Sequence, residues 1–126
     1  GYEQVDFETL LTQSDIISIH APLNEHTEGL IDREAFEKMK PSCIFLNLGR
    51  GPIVDEQALY NALVRNQIAA AGLDVLCKEP MSADNPLLKI KDSKRLLITP
   101  HIAWASVEAR THLMEIIHGQ VKDFFA

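Results

Sequence analysis

FLNLGRGPIVDEQAL, Phe45 to Leu59, passes from an apolar strand to a single arginine set between two glycines, and then into a helix that starts after Asp55. A strand handing over to a helix through a short turn is half of a strand–helix–strand unit, and repeats of that unit build a parallel sheet. Gly49 and Gly51 remove side chains on either side of Arg50 and permit backbone conformations closed to other residues, so something comes close to the backbone there. An arginine in such a place suits a flat anion, because its forked donors match a carboxylate or a phosphate. A tight strand-to-loop turn with a surface arginine would use the same residues, and this stretch alone leaves both readings open.

The same rhythm extends outward on both sides. Asp6 can cap a short helix through Leu11, with Phe7, Leu10 and Leu11 as its apolar face. The β-branched run DIISIH, Asp15 to His20, reads as a strand, followed by the loop APLNEHTEG. Asp32 can cap the helix REAFEKM, which Pro41 closes, and the strand Cys43 to Leu48 comes next. Asp55 caps a helix from Glu56 to about Asn66, and Ile68 to Val75 forms a third strand. A long loop leads to a short fourth strand, Leu96 to Thr99. The last element, Ser106 to Phe125, is a long amphipathic helix whose stripe of Val107, Met114, Ile117, Val121 and Phe124 is expected to face a core. The strands are continuous apolar runs rather than alternating ones, which marks a parallel sheet covered on both faces. The expected fold is therefore a doubly wound α/β layer with no internal repeat, low-complexity tract or domain boundary.

The 126 residues, 46% hydrophobic and 24% charged, are enough to bury the core of about one domain. The net charge is −6 and the basic residues are scattered, which speaks against a nucleic-acid partner. No apolar run approaches the roughly 20 residues of a membrane span, and GYEQVDFETL has neither the basic nor the apolar segment of a signal peptide, so neither a membrane anchor nor a leader is expected. Cys43 and Cys77 lack CxxC spacing and are expected to be buried thiols of a reducing cytosol. The histidines give no metal-ligand spacing, His112 and His118 missing the i, i+4 geometry, so no metal site is expected.

In open α/β sheets, ligands sit beyond the carboxyl ends of the strands. After the first strand come His20, Ala21 and Pro22, and after the second Gly49 and Arg50. Asp74 ends the third, with Glu79 in its loop, and His101 follows the fourth behind Pro100. Singly, each has a plainer reading: His101 as a core histidine, Glu79 as a loop charge, Asp74 as a capping group. Collected along one sheet edge, they favour a site for a small anionic carbonyl compound. Arg50 would hold a carboxylate and polarise the neighbouring carbonyl. His101 would give or take a proton, and Glu79 would fix the imidazole tautomer and raise its pKa.

DIISIHAPLNEHTEGLI, FLNLGRGPIVDEQAL, AGLDVLCKEP and ITPHIAWAS, in that order, resemble the NAD-binding domain of the D-2-hydroxyacid dehydrogenases across nearly the whole chain. The resemblance implies catalytic roles for Arg50, Glu79 and His101: Arg50 on the substrate carboxylate and carbonyl, Glu79 paired with His101 as the general acid/base. It implies cofactor contacts at Ala21, Pro22, Leu48, Gly49, Arg50, Asp74, His101 and Ala103, with Asp74 meeting the nicotinamide carboxamide and the glycines letting the backbone sit against the ligands. The cofactor implied is NAD, with NADP the alternative. PHIAWASVEAR looks most like glycerate dehydrogenases (hydroxypyruvate reductases). Phosphoglycerate and D-lactate dehydrogenases are alternatives, as are NAD-dependent corepressor-like binding proteins of the same superfamily.

The GxGxxG turn and the acidic residue about twenty positions on, which hold pyrophosphate and ribose in such folds, do not occur in this sequence. Residues 1–126 are thus expected to be the C-terminal part of the NAD-binding domain: the second half of a Rossmann-like doubly wound parallel sheet, ending in a long helix that crosses back. The substrate domain is not included, and a piece of this kind is expected to be inactive alone. The protein is further expected to be a cytoplasmic homodimer acting on a small 2-oxo or 2-hydroxy acid and, on its charge and hydropathy, to have no nucleic-acid or membrane partner.

Overall fold

The computed structural model describes residues 3–126. It contains α1 (Phe7–Gln13), β1 (Ile16–Ile19), α2 (Arg33–Lys38), β2 (Ile44–Asn47), α3 (Glu56–Val64), β3 (Ala70–Leu73), β4 (Leu96–Ile98) and α4 (Val107–Phe124), with 3-10 turns at Gly51–Ile53 and Pro86–Lys89. The aspartates that mark helix starts in the sequence all act as caps. Asp6 accepts the Thr9 N–H, Asp32 the Ala35 N–H, and Asp55 the N–H groups of both Gln57 and Ala58. Each satisfies backbone donors that the first helical turn would otherwise leave unpaired.

The four strands form one parallel sheet in the order β1-β2-β3-β4. Their register aligns Ile17, Phe45, Ala71 and Leu96 in one row and Ile19, Asn47, Leu73 and Ile98 in another. Side chains two apart on a strand share a face, so both rows look toward the same side. On that side lie Leu11 of α1, Phe36 of α2 and Leu59 and Leu63 of α3, all buried with the strand residues in one core. Phe36 meets Phe45 edge-to-face at 5.4 Å.

Among the described residues, cover on both faces does not materialise. All four strands are joined in sequence by elements packed on one side, and the opposite rows stay open. Ile16, Ile44 and Leu97 are exposed on the bare face. The stripe of α4 is likewise no core: Val107, Met114, Ile117, Val121 and Phe124 are all exposed, and α4 has no buried residue. The helix forms, capped by Ser106 at the Ala109 N–H, but nothing among the described residues packs on its apolar side. No described helix is long and apolar enough to cross a membrane.

Candidate active site

The carboxyl ends of the strands bring the polar groups to one edge, as in any parallel sheet with connections of one hand. The turn after β2 is built from Asn47, whose side chain points into the core yet is polar and almost wholly buried. Its Oδ1 accepts the Gly49 N–H at 3.1 Å and its Nδ2 donates to the Arg50 carbonyl at 3.0 Å. The side chain thus binds the Leu48–Gly49 and Arg50–Gly51 peptide units, which satisfies its buried amide and shapes the turn.

The two glycines answer to the protein's own backbone. A Cβ on Gly49 would stand 2.9 Å from the Ala21 carbonyl oxygen, and one on Gly51 would collide with the backbone of Leu76 and Cys77. The close approach expected from the sequence is real, but the partners that the structure shows are the loops after β1 and β3. Arg50 itself is exposed; its Nη1 donates to the Gly49 carbonyl at 2.8 Å, and among the described residues no carboxylate pairs with its guanidinium. Its remaining donors are free for an anion. Ala21 and Pro22 on one side and Leu48, Gly49 and Arg50 on the other line an open cleft of about 480 Å³.

Glu79 and His101 do meet. His101 Nδ1 lies 2.9 Å from Glu79 Oε2. Glu79 Oε1 accepts the Leu76 N–H at 2.9 Å. The Leu76 N–H, and after it the bond from His101, hold the Glu79 carboxyl below its ordinary range. An ionised carboxylate can only accept, so His101 carries its proton on Nδ1 toward Glu79, and Nε2 has no hydrogen-bond partner among the described residues.

His101 sits on backbone with φ +56°, a left-handed conformation uncommon for a residue with a side chain. Asp74, buried at the end of β3, holds that turn. Its Oδ1 accepts the Thr99 hydroxyl and the Ile102 N–H, and its Oδ2 accepts the Ala103 N–H at 2.8 Å. Burial pushes the Asp74 carboxyl upward, but the bonds from Thr99, Ala103 and Ile102 outweigh it and keep the carboxyl below its ordinary value. Behind the Glu79–His101 pair lies an open cavity of about 510 Å³ whose walls include Leu76, Met81, Ile98 and Asp74.

Of the residues singled out in the sequence, Arg50, Gly49, Leu48, Ala21 and Pro22 therefore border one cleft. Glu79, His101 and Asp74 border a second space on the same sheet edge, with Ala103 tied to Asp74. Cys43 is buried as expected, but Cys77 is exposed at the residue level, because it sits in the loop after β3 rather than in a strand. Its Sγ donates to the Val54 carbonyl at 3.5 Å. Local burial, and after it Glu56, push the thiol up to about 11. Asn47 escaped notice in the sequence; an asparagine two residues before a glycine is an Asx-turn signal that could have found it.

Residues 1–103 match the sequence profile of the D-isomer specific 2-hydroxyacid dehydrogenase, NAD binding domain. A hydroxypyruvate reductase from Blautia hydrogenotrophica is 47% identical over 120 residues, which is 95% of this chain and 36% of that protein. The chain thus spans little more than a third of that relative's length. Among solved structures, an acyclic imino acid reductase in complex with NADPH and D-Arg superposes with a TM-score of 0.85 at 37% identity, covering 98% of this chain and 38% of the other. A D-lactate dehydrogenase with NAD+ from Lactobacillus jensenii superposes with a TM-score of 0.78 at 36% identity, covering 89% of this chain and 37% of the other.

Proposed function

The chain belongs to the D-isomer specific 2-hydroxyacid dehydrogenase family, and from that premise we propose that it is the C-terminal part of the NAD-binding domain of an enzyme that interconverts a small 2-oxo acid and its D-2-hydroxy acid. Hydroxypyruvate and D-glycerate are the proposed pair, on the likeness to hydroxypyruvate reductase and the wording of PHIAWASVEAR. Two features support a longer protein: the chain's share of its relatives' length, and the open apolar sheet face and α4 stripe that a complete domain would cover.

The residues present fit a nicotinamide cofactor. The cleft between Ala21–Pro22 and Leu48–Arg50 opens beyond the strand ends. Ala21, Pro22, Leu48, Gly49, Arg50, Asp74, His101 and Ala103 would border the nicotinamide end, with NAD proposed and NADP the alternative. When bound, the cofactor supplies or accepts the hydride at the substrate carbon.

The chain's own groups do the rest. Arg50 takes the substrate carboxylate through its free guanidinium donors and draws electron density from the adjacent carbonyl. His101 Nε2 gives a proton to the carbonyl oxygen in reduction and takes the hydroxyl proton in oxidation. Glu79 fixes the tautomer and stabilises the ring when it is cationic, and Asp74 holds the turn that aims it. The observation that carries the reading is the Glu79–His101 pair at 2.9 Å on a turn anchored by Asp74. The reading brings with it a cytoplasmic homodimer without nucleic-acid or membrane partners, in keeping with a net charge of −6 and scattered basic residues.

The test is oxidation of NADH and NADPH with hydroxypyruvate, glyoxylate, pyruvate and phosphohydroxypyruvate, by the full-length protein beside this chain. Turnover by the full-length protein, best with hydroxypyruvate, and none by the chain alone is the expected result. Cofactor binding without reduction of any of the four would overturn the enzyme reading and favour a cofactor-dependent binding protein.

A further inference from the structure

Glu56 opens α3 shortly after Arg50, and its carboxylate reaches across to the loop that follows β3. Its Oε1 accepts the Cys77 N–H at 2.8 Å, and its Oε2 accepts from Asn85 Nδ2 at 2.7 Å. Those two partners bracket the segment that carries Glu79. Asn85 is buried, and its Oδ1 is already taken by the Leu87 N–H, so Glu56 is the partner that satisfies its amide donor. At the near end of the same loop, Gly51 lies against Leu76 with no room for a side chain, and the Leu76 N–H donates to Glu79 Oε1. Gly51 against Leu76, Glu56 on Cys77 and Asn85, and the Leu76 N–H on Glu79 thus hold the loop whose Glu79 meets His101.

Met81 packs against the core, but the three residues before it have no such apolar anchor. Lys78, Glu79 and Pro80 are exposed, and the Glu79 and His101 side chains are each 39% accessible. A short exposed segment of this kind is placed by its ends. We propose that Glu56 is a positioning residue for the Glu79–His101 pair: by clamping both ends of the loop, it sets where Glu79 Oε2 meets His101 Nδ1. The inference rests on the function proposed above and names a residue that acts on that chemistry without touching substrate or cofactor. Misplacing a catalytic group by about 1 Å can cost on the order of 100-fold in rate, which is the scale of effect at stake.

The experiment is a double-mutant cycle in the full-length protein, reading kcat and KM with hydroxypyruvate and NADH for Glu56→Ala, Glu79→Ala and the two combined. Glu56→Ala is expected to lower kcat by roughly 10- to 100-fold with KM for NADH changed by less than about twofold. In the Glu79→Ala background the same change is expected to cost less than about twofold, because the group it positions is gone. Glu56→Gln, which keeps the length and an oxygen for the Cys77 N–H, is carried through the same cycle and gives a smaller loss with the same non-additivity, so the test stands if Glu56→Ala fails to fold. Equal losses in both backgrounds would make Glu56 a stabilising contact only and overturn the proposal. A large loss in Glu79→Ala with none in Glu56→Ala would overturn it while leaving the proposed function standing. Near-parent turnover in Glu79→Ala would instead remove the proposed function, and the role of Glu56 with it.

Discussion

At the scale of single residues, the site separates groups kept free from groups kept busy. Arg50 uses one donor on the Gly49 carbonyl, and among the described residues the rest of its fork has no partner. Arg50→Lys in the full-length protein is therefore expected to lower kcat/KM by about 10- to 100-fold despite the conserved charge, since an ammonium makes no bidentate bond; steady-state kinetics with hydroxypyruvate would check it, and near-parent values would exclude the role. Cys77 is the opposite case. It is exposed, but burial of its thiol and the nearby Glu56 push it up to about 11, so almost none is thiolate at neutral pH. Alkylation by iodoacetamide at about pH 7.5 is expected to be far slower than for a free cysteine of ordinary pKa near 8.5. Glu56→Gln should speed it, and mass spectrometry of the modified chain reads both outcomes. Residue types at strand ends were legible in the sequence; of Asn47 only the Asx-turn spacing was, while its burial and its bond to the Arg50 carbonyl came with the fold.

At the scale of elements, the helix starts were plain because a cap is a local device: Asp6, Asp32 and Asp55 each bond N–H groups within three residues. What the turns press against was not plain. The glycines flanking Arg50 look, in sequence, like room made for a ligand, and the structure gives them to Ala21 and to Leu76–Cys77. Gly51→Ala is thus expected to destabilise the chain by about 1–3 kcal/mol, the cost of overpacking where backbone must move. A thermal melt followed by circular dichroism would show it as a lowered Tm. An unchanged Tm would mean that the loop after β3 yields without cost, which would also weaken its role as a rigid mount for Glu79.

At the scale of the whole molecule, the His101 turn and the loop after β3 are tied to the sheet by carboxylates whose folded pKa values lie below their ordinary ones. For Asp74, burial works upward, but the bonds from Thr99, Ala103 and Ile102 prevail; for Glu79 the Leu76 N–H leads, followed by His101. Groups depressed in the folded state contribute their full stability above the unfolded pKa and lose it as pH falls through the folded value. The chain is therefore expected to hold a steady Tm from neutral pH down to about 5 and to lose it progressively below about 4. Asp74→Asn should flatten that acid slope, and identical slopes would show that Asp74 is not linked to folding. Local patterns in the sequence determined the strands, the helices, the parallel character of the sheet and which polar groups end each strand, because apolar runs and caps act between near neighbours. Only the tertiary structure decided that the sheet is covered on one face and that the α4 stripe has no cover among the described residues. It alone also decided that Asp74 serves the His101 turn and that Glu56 holds the loop of Glu79. Those outcomes depend on contacts between segments more than twenty residues apart, and on packing partners that no local spacing of residues encodes.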